Sequence, residues 1–133
     1  MALVCETRID RRSLVLYNTH LESRGNDELR TDQLSEILTQ IRQGSGDTPV
    51  IVAGDLNFDV SRGPAARLIA DSQLDSPFAE LGSRRAGRNR TYAQHAVIDW
   101  ILTGKGLVAS KPEIHNSSGA SDHDPISLQI RLA

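Results

Sequence analysis

The stretch TPVIVAGDLNF, residues 48–58, constrains the fold more than any other, because an apolar run ends in a glycine, a carboxylate and an amide. Residues 50–53 show no polar alternation, which is typical of a central strand covered on both faces. Gly54 would free the backbone to turn sharply at the strand end. Asp55 and Asn57, two residues apart, would point the same way from an extended segment. The stretch therefore predicts a buried strand that ends in two polar side chains.

Most of the remaining ordered chain is strand-like. Residues 2–9 and 13–20 are two such runs separated by a short polar turn, and they predict a β-hairpin. Beyond a loop-like segment at about 75–95, further strand-like runs cover residues 97–103, 107–114 and 125–132. The last run alternates apolar with polar residues, as a half-buried strand does.

Two segments predict helices. Residues 26–43 have Asn26 as an N-cap and four apolar residues at helical spacing: Leu34, Ile37, Leu38 and Ile41. Ser61 and Pro64 mark the start of a second, shorter helix. The strands and helices show no regular βαβ rhythm, so we expect an α+β fold in which helices pack on one face of a single mixed β-sheet.

The composition excludes several classes of protein. A chain of 133 residues with 38% apolar and 24% charged residues predicts one globular domain, residues 1–133. The net charge of −2 excludes a general attraction to nucleic acid or anionic membrane, so any phosphate recognition must be local. The chain has no long apolar segment and only one cysteine, which predicts a cytoplasmic location with no membrane segment. Cys5, beside Leu3 and Val4, is predicted to be a buried structural thiol.

Polar residues that can handle protons or bind metal follow other predicted strands. His20 lies in NTHLES, Asp99 is a lone carboxylate in VIDWIL, and Asp122 and His123 lie in SDHDP. A buried charge needs a partner, so Asp99 is the natural group to fix the imidazole tautomer of His123. Asp122 could then serve as a metal ligand. The alternatives are a structural histidine at position 20 and a solvated acidic pair at the turn before the last strand.

Asp55 and Asn57 extend this pattern to four strand ends. A carboxylate beside an amide can accept a proton from water and bind an oxyanion, as hydrolysis requires. Both residue types also close ordinary turns, and that alternative stays open for this pair taken alone. The convergence of four such ends predicts a single site at one edge of the sheet.

In this order the motifs NTHLES, GDLN, IDWIL and SDH resemble the second half of the endonuclease/exonuclease/phosphatase superfamily, the deoxyribonuclease I-like fold. Arg30 and Gln33, in the helix after THLES, are similar to the tyrosyl-DNA phosphodiesterase branch. The resemblance implies half of a four-layer α/β/β/α sandwich. It also implies a phosphodiesterase or nuclease-like hydrolase that uses an attacking water and Mg²⁺, with Mn²⁺ as the alternative ion.

The resemblance implies a role for each site residue. Asp55 would orient and deprotonate the water, and Asn57 would bind the water or a phosphoryl oxygen. His123, held by Asp99, would stabilise the pentacovalent phosphate or act as general acid. His20 would donate a hydrogen bond to a phosphoryl oxygen. The metal ligand would be Asp122.

The family's principal metal-binding Glu and a phosphate-site Asn lie in a first half that this sequence does not match. Mg²⁺ on Asp122 alone would bind weakly, since such cations need several oxygen ligands. Glu22 is either an extra ligand or a loop-stabilising residue. Half a sandwich would expose an inner sheet face, so we expect a homodimer, a complementary N-terminal fragment as partner, or a sheet face rearranged to be more polar; the homodimer is the first choice. The alternative function is a catalytically inactive binding or assembly module.

The segment before IDWIL contains four arginines in seven positions: Arg84, Arg85, Arg88 and Arg90. They would either grip a phosphate backbone, as in a nucleic-acid substrate, or form a solvated loop. Thr91 and Tyr92, which follow this loop, could line the cleft as equivalent segments do in the family. The substrate itself is left open among DNA, RNA, lipid head groups and nucleotides.

Overall fold

The computed structural model describes residues 2–79, 91–92 and 96–133. Within these residues the chain forms six strands and two helices, each close to a predicted position. In chain order they are β1 (Ala2–Ile9), β2 (Arg12–His20), α1 (Asp27–Gly44), β3 (Val50–Asp55), α2 (Gly63–Asp71), β4 (Asp99–Thr103), β5 (Leu107–Ile114) and β6 (Ile126–Leu132).

Strands β1 to β4 form a four-stranded mixed sheet in chain order. β2 pairs antiparallel with β1 and parallel with β3, and β4 closes the sheet antiparallel to β3. The predicted α+β class is confirmed, and the arrangement is consistent with half of a sandwich. The expected single mixed sheet covers only β1 to β4, since β5 and β6 pair with each other in a separate antiparallel sheet.

Helix α1 forms where its sequence predicts. The side chain of Asn26 caps it by accepting a hydrogen bond from the backbone N–H of Leu29 at 3.0 Å. Two acidic residues in the first turn and Arg42 in the last turn complement the helix dipole. All four predicted apolar positions of the stripe are buried. In the described part of the chain no helix is long and apolar enough to cross a membrane.

The core lies between the helices and one face of the mixed sheet. Val52 and Leu102, partners across β3 and β4, are fully buried there together with Leu34 and Leu38 of α1. Trp100 is a core anchor, and its indole N–H donates a hydrogen bond of 3.1 Å to the carbonyl of Phe58. The buried N–H therefore keeps a partner, as buried polar groups require.

Strand β1 is exposed, and one prediction fails there. Residues 3–8 are exposed on both faces, with Leu3 and Val4 at 69% and 48%. The prediction that Cys5 is a buried thiol is wrong, because its side chain is exposed. Its apolar neighbours indicated burial, but β1 is an edge strand and no described layer covers it. This edge leaves apolar side chains available to a partner.

Candidate functional site

The register of the mixed sheet places three polar residues side by side. His20 is the cross-strand partner of Asp55, and Asp55 is in turn the partner of Asp99. Side chains that are directly opposite in a sheet point to the same face. The parallel pairing of β2 with β3 is what brings the ends of these two strands to the same edge.

The carboxylate of Asp55 lies at the centre of the site. Its Oδ1 accepts a hydrogen bond from the backbone N–H of Asn57 at 2.8 Å. Its Oδ2 lies 3.6 Å from Nε2 of His20 and 3.9 Å from Nε2 of His123. One oxygen is thus held by the backbone, while the other faces two imidazoles.

Gly54 allows β2 and β3 to approach each other beside Asp55. Its φ is +138°, and a Cβ built there would lie 1.9 Å from the backbone oxygen of Thr19. The sequence predicted a sharp turn at this glycine. In the structure Gly54 is instead the penultimate residue of β3, and it provides room for the neighbouring strand.

Asn57 connects the two loops that follow β2 and β3. Its φ is +58°, a left-handed conformation that asparagine tolerates better than most residues. Its side-chain amide donates a hydrogen bond of 3.0 Å to the carbonyl of Leu21. The backbone N–H of Leu21 in turn donates to the carbonyl of Asp55 at 3.0 Å. These bonds hold the two loops together at the edge that contains the site.

His123 and Asp99 form a close pair. Nδ1 of His123 lies 3.0 Å from Oδ2 and 3.2 Å from Oδ1 of Asp99. Since a carboxylate can only accept, this geometry favours the tautomer that has its proton on Nδ1. Nε2 of the ring is then the atom nearest Asp55. The pairing of a lone carboxylate with this histidine is the arrangement that the sequence suggested.

The charges around His123 favour its protonated form. Burial alone would lower the pKa of the imidazole. The hydrogen bond to Asp99 and the negative charges of Asp99, Asp55 and Asp122 act in the other direction, and together they raise the pKa above 6.5. The imidazole therefore binds its proton more tightly here than it would free in water.

The loop after His20 is braced by helix α1. Arg30 donates from Nε to the carbonyl of Glu22 at 2.7 Å and from Nη2 to the carbonyl of Ser23 at 3.2 Å. Gln33 accepts a hydrogen bond from the backbone N–H of Glu22 at 2.9 Å. The carboxylate of Glu22 accepts from the backbone N–H of Arg24 at 2.8 Å. Of the two interpretations of Glu22, this geometry matches the loop-stabilising one.

These contacts explain a part of the sequence that pattern analysis alone left without a structural role. Arg30 and Gln33 stood out only through their resemblance to one branch of the family. Their spacing of three along a helix puts both side chains on one face, which could have indicated a shared contact. That the contact is the loop after His20 could be seen only in the structure.

The described residues include one group of three potential metal ligands. One ligand atom each from Asp55, Asp99 and His123 lie within 4.8 Å of one another. Both oxygens of Asp99 already contact His123, so this group supplies few of the free oxygen ligands that Mg²⁺ takes. Asp122 is exposed and is not a member of the group. The described residues therefore fit only part of a magnesium coordination shell.

The structure thus brings together His20, Asp55, Asp99 and His123, with Asn57 attached to Asp55 through its backbone. Asp122 precedes His123 and acts on it through charge. The arginines of residues 84–90 lie outside the described residues, so both interpretations of them, a phosphate contact and a solvated loop, stay open. Thr91 and Tyr92 are described, and both lie beside the pair formed by Asp99 and His123.

Comparison with known proteins supplies the family. The sequence model of the Endonuclease/Exonuclease/phosphatase family matches residues 3–123. No curated protein sequence matches the chain significantly.

Several solved structures share the fold. One is an endonuclease/exonuclease/phosphatase from Bacteroides vulgatus, with a TM-score of 0.74, 21% identity, and coverage of 93% of this chain and 51% of that one. Another is TDP2 of D. rerio complexed with a single strand DNA product, with a TM-score of 0.71, 20% identity, and coverage of 98% of this chain and 61% of that one. A third is a mannosyl-6-phosphatase of Bacteroides thetaiotaomicron, with a TM-score of 0.65, 16% identity, and coverage of 92% of this chain and 53% of that one. The chain therefore spans about half to three fifths of the length of these structures.

Proposed function

Because the chain belongs to the Endonuclease/Exonuclease/phosphatase family, we propose that it is the second half of a divalent-metal-dependent phosphoester hydrolase. The reaction would be the attack of an activated water on the phosphorus of a phosphodiester or phosphomonoester. The single observation that carries the proposal is the meeting of two imidazoles, from His20 and His123, around one carboxylate oxygen of Asp55. Such a cluster can bind an anionic phosphoryl group and move protons at the same time.

Asp55 acts as the base in this proposal. Its Oδ1 is occupied by the backbone N–H of Asn57, which leaves Oδ2 to accept a proton from water. The side-chain amide of Asn57 has two N–H groups, and the carbonyl of Leu21 takes one of them. The second N–H can donate to a phosphoryl oxygen, or the amide oxygen can accept from the water. Either role positions one of the two reactants, the phosphoryl group or the water, for in-line attack.

His123 acts on the phosphate in this proposal. Asp99 holds the proton on Nδ1, so a protonated ring presents its Nε2–H to the phosphoryl group. The raised pKa of His123 favours the protonated form of this donor, which either stabilises the pentacovalent phosphate or protonates the leaving oxygen. His20, whose side chain is 68% exposed, donates to another phosphoryl oxygen.

Members of this family generally use divalent metal ions, and we propose Mg²⁺, with Mn²⁺ as a substitute. Asp122 would contribute a carboxylate ligand, and the remaining ligands would come from outside the described residues. When bound, such an ion neutralises negative charge on the phosphate oxygens. Without these further ligands the affinity of the chain for Mg²⁺ would be weak.

The missing ligands point to a partner, and we propose a second copy of the chain or a complementary N-terminal fragment. Support comes from the exposed apolar residues of β1 and from the coverage of about half of each related structure. Size-exclusion chromatography with light scattering tests the homodimer. A monomer at all concentrations would leave the complementary fragment as the partner.

The proposal names a class of substrate, the phosphoesters, and nucleic acid is one member of that class. The related structures differ in what their names state, since one is complexed with a single strand DNA product and another is a mannosyl-6-phosphatase. At about 20% identity these neighbours support the fold and leave the choice among substrates to assay.

The test is cleavage of a bis-aryl phosphodiester and of single-stranded DNA with Mg²⁺ or Mn²⁺ added. Asp55→Asn and His123→Ala should each lower the rate by at least about 100-fold, the usual contribution of a proton-transferring group. Asp71→Asn and His115→Gln change exposed residues of the same types outside the cluster and serve as controls. No cleavage by the wild-type chain at any metal concentration would favour the alternative, an inactive binding or assembly module.

A further inference from the structure

Asp99 and His123 come from separate parts of the chain. Asp99 begins β4, while His123 lies in the segment before β6, and β4 and β6 belong to different sheets. A pair built in this way needs a third element to hold its two members in register. The described residues place the dipeptide of Thr91 and Tyr92 between them.

Thr91 contacts the backbone on both sides of the pair. Its side-chain hydroxyl, in a residue only 1% exposed, accepts hydrogen bonds from the backbone N–H groups of Ile98 and Asp99, each at 3.0 Å. Its backbone carbonyl accepts from the N–H of Asp124 at 2.8 Å. A hydroxyl oxygen has two lone pairs, so both are used at the start of β4. One residue thus fixes the main chain next to Asp99 and next to His123.

Tyr92 contacts the imidazole itself. The ring centroids of Tyr92 and His123 are 4.8 Å apart at an interplanar angle of 53°, and the two residues also form an isolated β-bridge. This separation lies within the range of favourable aromatic contacts. Tyr92 is 37% exposed, so its ring is not part of the buried core. The tyrosine ring lies against the imidazole and restricts its rotation. This contact helps to keep Nε2 of His123 directed toward Asp55.

We propose that Thr91 and Tyr92 are positioning residues, of which Thr91 sets the backbone of Asp99 and Tyr92 sets the ring plane of His123. The consequence for activity rests on the proposed hydrolase function, whereas the geometric effect does not. Thr91→Val keeps the shape of the side chain but leaves two buried N–H groups without an acceptor, while Thr91→Ser keeps the acceptor. Tyr92→Leu removes the aromatic ring, and Tyr92→Phe retains it.

The experiment compares these two matched pairs of variants with the wild-type chain. The first readout is the pair of ring ¹⁵N chemical shifts of His123 by NMR, which report the tautomer and hydrogen bonds of the imidazole, respond only weakly to the ring current of Tyr92 and require no catalysis. We expect Thr91→Val and Tyr92→Leu to move these shifts, and Thr91→Ser and Tyr92→Phe to leave them close to wild type. The second readout is phosphodiester cleavage. Thr91→Val and Tyr92→Leu should lose about 10- to 100-fold in kcat with little change in KM.

Wild-type shifts of His123 in Thr91→Val and Tyr92→Leu would overturn the proposal, even if both variants were less stable. So would equal shifts in the conservative and the disruptive member of each pair. Should Thr91→Val fail to fold, the Tyr92 pair decides the question, because an exposed side chain can be replaced without disturbing the core. Should the wild-type chain show no cleavage, the proposed function fails while the NMR comparison still tests the positioning.

Discussion

Replacement of Gly54 by alanine tests how the strand end that contains Asp55 is built. The added Cβ would lie 1.9 Å from the carbonyl oxygen of Thr19 and 3.0 Å from its carbonyl carbon, both of them backbone atoms. No side-chain rotation can relieve this contact. The φ of +138° at Gly54 is in addition a conformation that side chains rarely adopt.

The free-energy cost has two parts. The backbone conformation costs about 1–3 kcal/mol for a residue with a Cβ. Relief of the clash requires β2 and β3 to move apart by about 1 Å, which stretches their hydrogen bonds beyond the usual limit of about 3.2 Å. Loss of about two such bonds costs roughly 1 kcal/mol each. We therefore expect Gly54→Ala to lower the free energy of unfolding by about 3–5 kcal/mol.

Urea denaturation measures this cost, and two other glycines provide graded controls. With an m-value of about 2 kcal/mol per M, the midpoint for Gly54→Ala should fall by roughly 2 M. Gly46 has a φ of +53° with open space around it, so Gly46→Ala should lose only about 1 kcal/mol. Gly44 ends α1, has open space and no positive φ, and Gly44→Ala should be neutral or stabilising. A loss for Gly54→Ala no larger than for Gly46→Ala would refute the reasoning.

Three further predictions follow from the charges and the core. Asp99→Asn should lower the pKa of His123 in an NMR titration, because the negative charge of Asp99 and the hydrogen bond to its carboxylate both raise it. A raised folded pKa means that the imidazolium stabilises the wild-type fold fully below about pH 6.5 and that this contribution is lost as the pH rises through the folded value. The difference in free energy of unfolding between wild type and Asp99→Asn, measured by urea denaturation, should therefore become smaller as the pH rises. A difference that does not change with pH would contradict this prediction. Leu38→Ala should cost about 2–5 kcal/mol in the same assay, whereas Leu3→Ala on the exposed edge should stay within about 0.5 kcal/mol. Trp100→Phe should cost about 1–3 kcal/mol, because it leaves a buried carbonyl without its donor; no loss would show that the carbonyl finds another partner.

The sequence predicted the elements well because each carries its own local pattern. The apolar stripe of α1 follows helical spacing, and the alternation in β6 has the period of a strand. The meeting of His20, Asp55 and Asp99 was also predictable, since polar residues that end neighbouring strands share one edge of a sheet. The pair of Asp99 and His123 followed from the cost of an unpaired buried carboxylate.

The features that the sequence could not predict are those that depend on which segments of the chain become neighbours in the fold. The exposure of Cys5 follows from the edge position of β1, and no local pattern reports whether a strand has a covering layer. The constraint on Gly54 comes from the carbonyl of Thr19 in another strand. The contacts of Thr91 with Asp99, and of Arg30 with the loop after His20, join residues seven or eight positions apart through side chains whose direction only the fold determines.

The cross-strand row of His20, Asp55 and Asp99 has a consequence for how the site can be lost. Successive residues of a strand point to opposite faces, so a slip of β3 by one position would turn the carboxylate of Asp55 toward the helices and put Gly54 or Leu56 in its place. The pairing register of β3 can shift only by whole residues, so no intermediate register exists. Assembly of the row during folding is therefore all-or-none, and a misregistered chain would keep its secondary structure while losing every distance between these side chains at once.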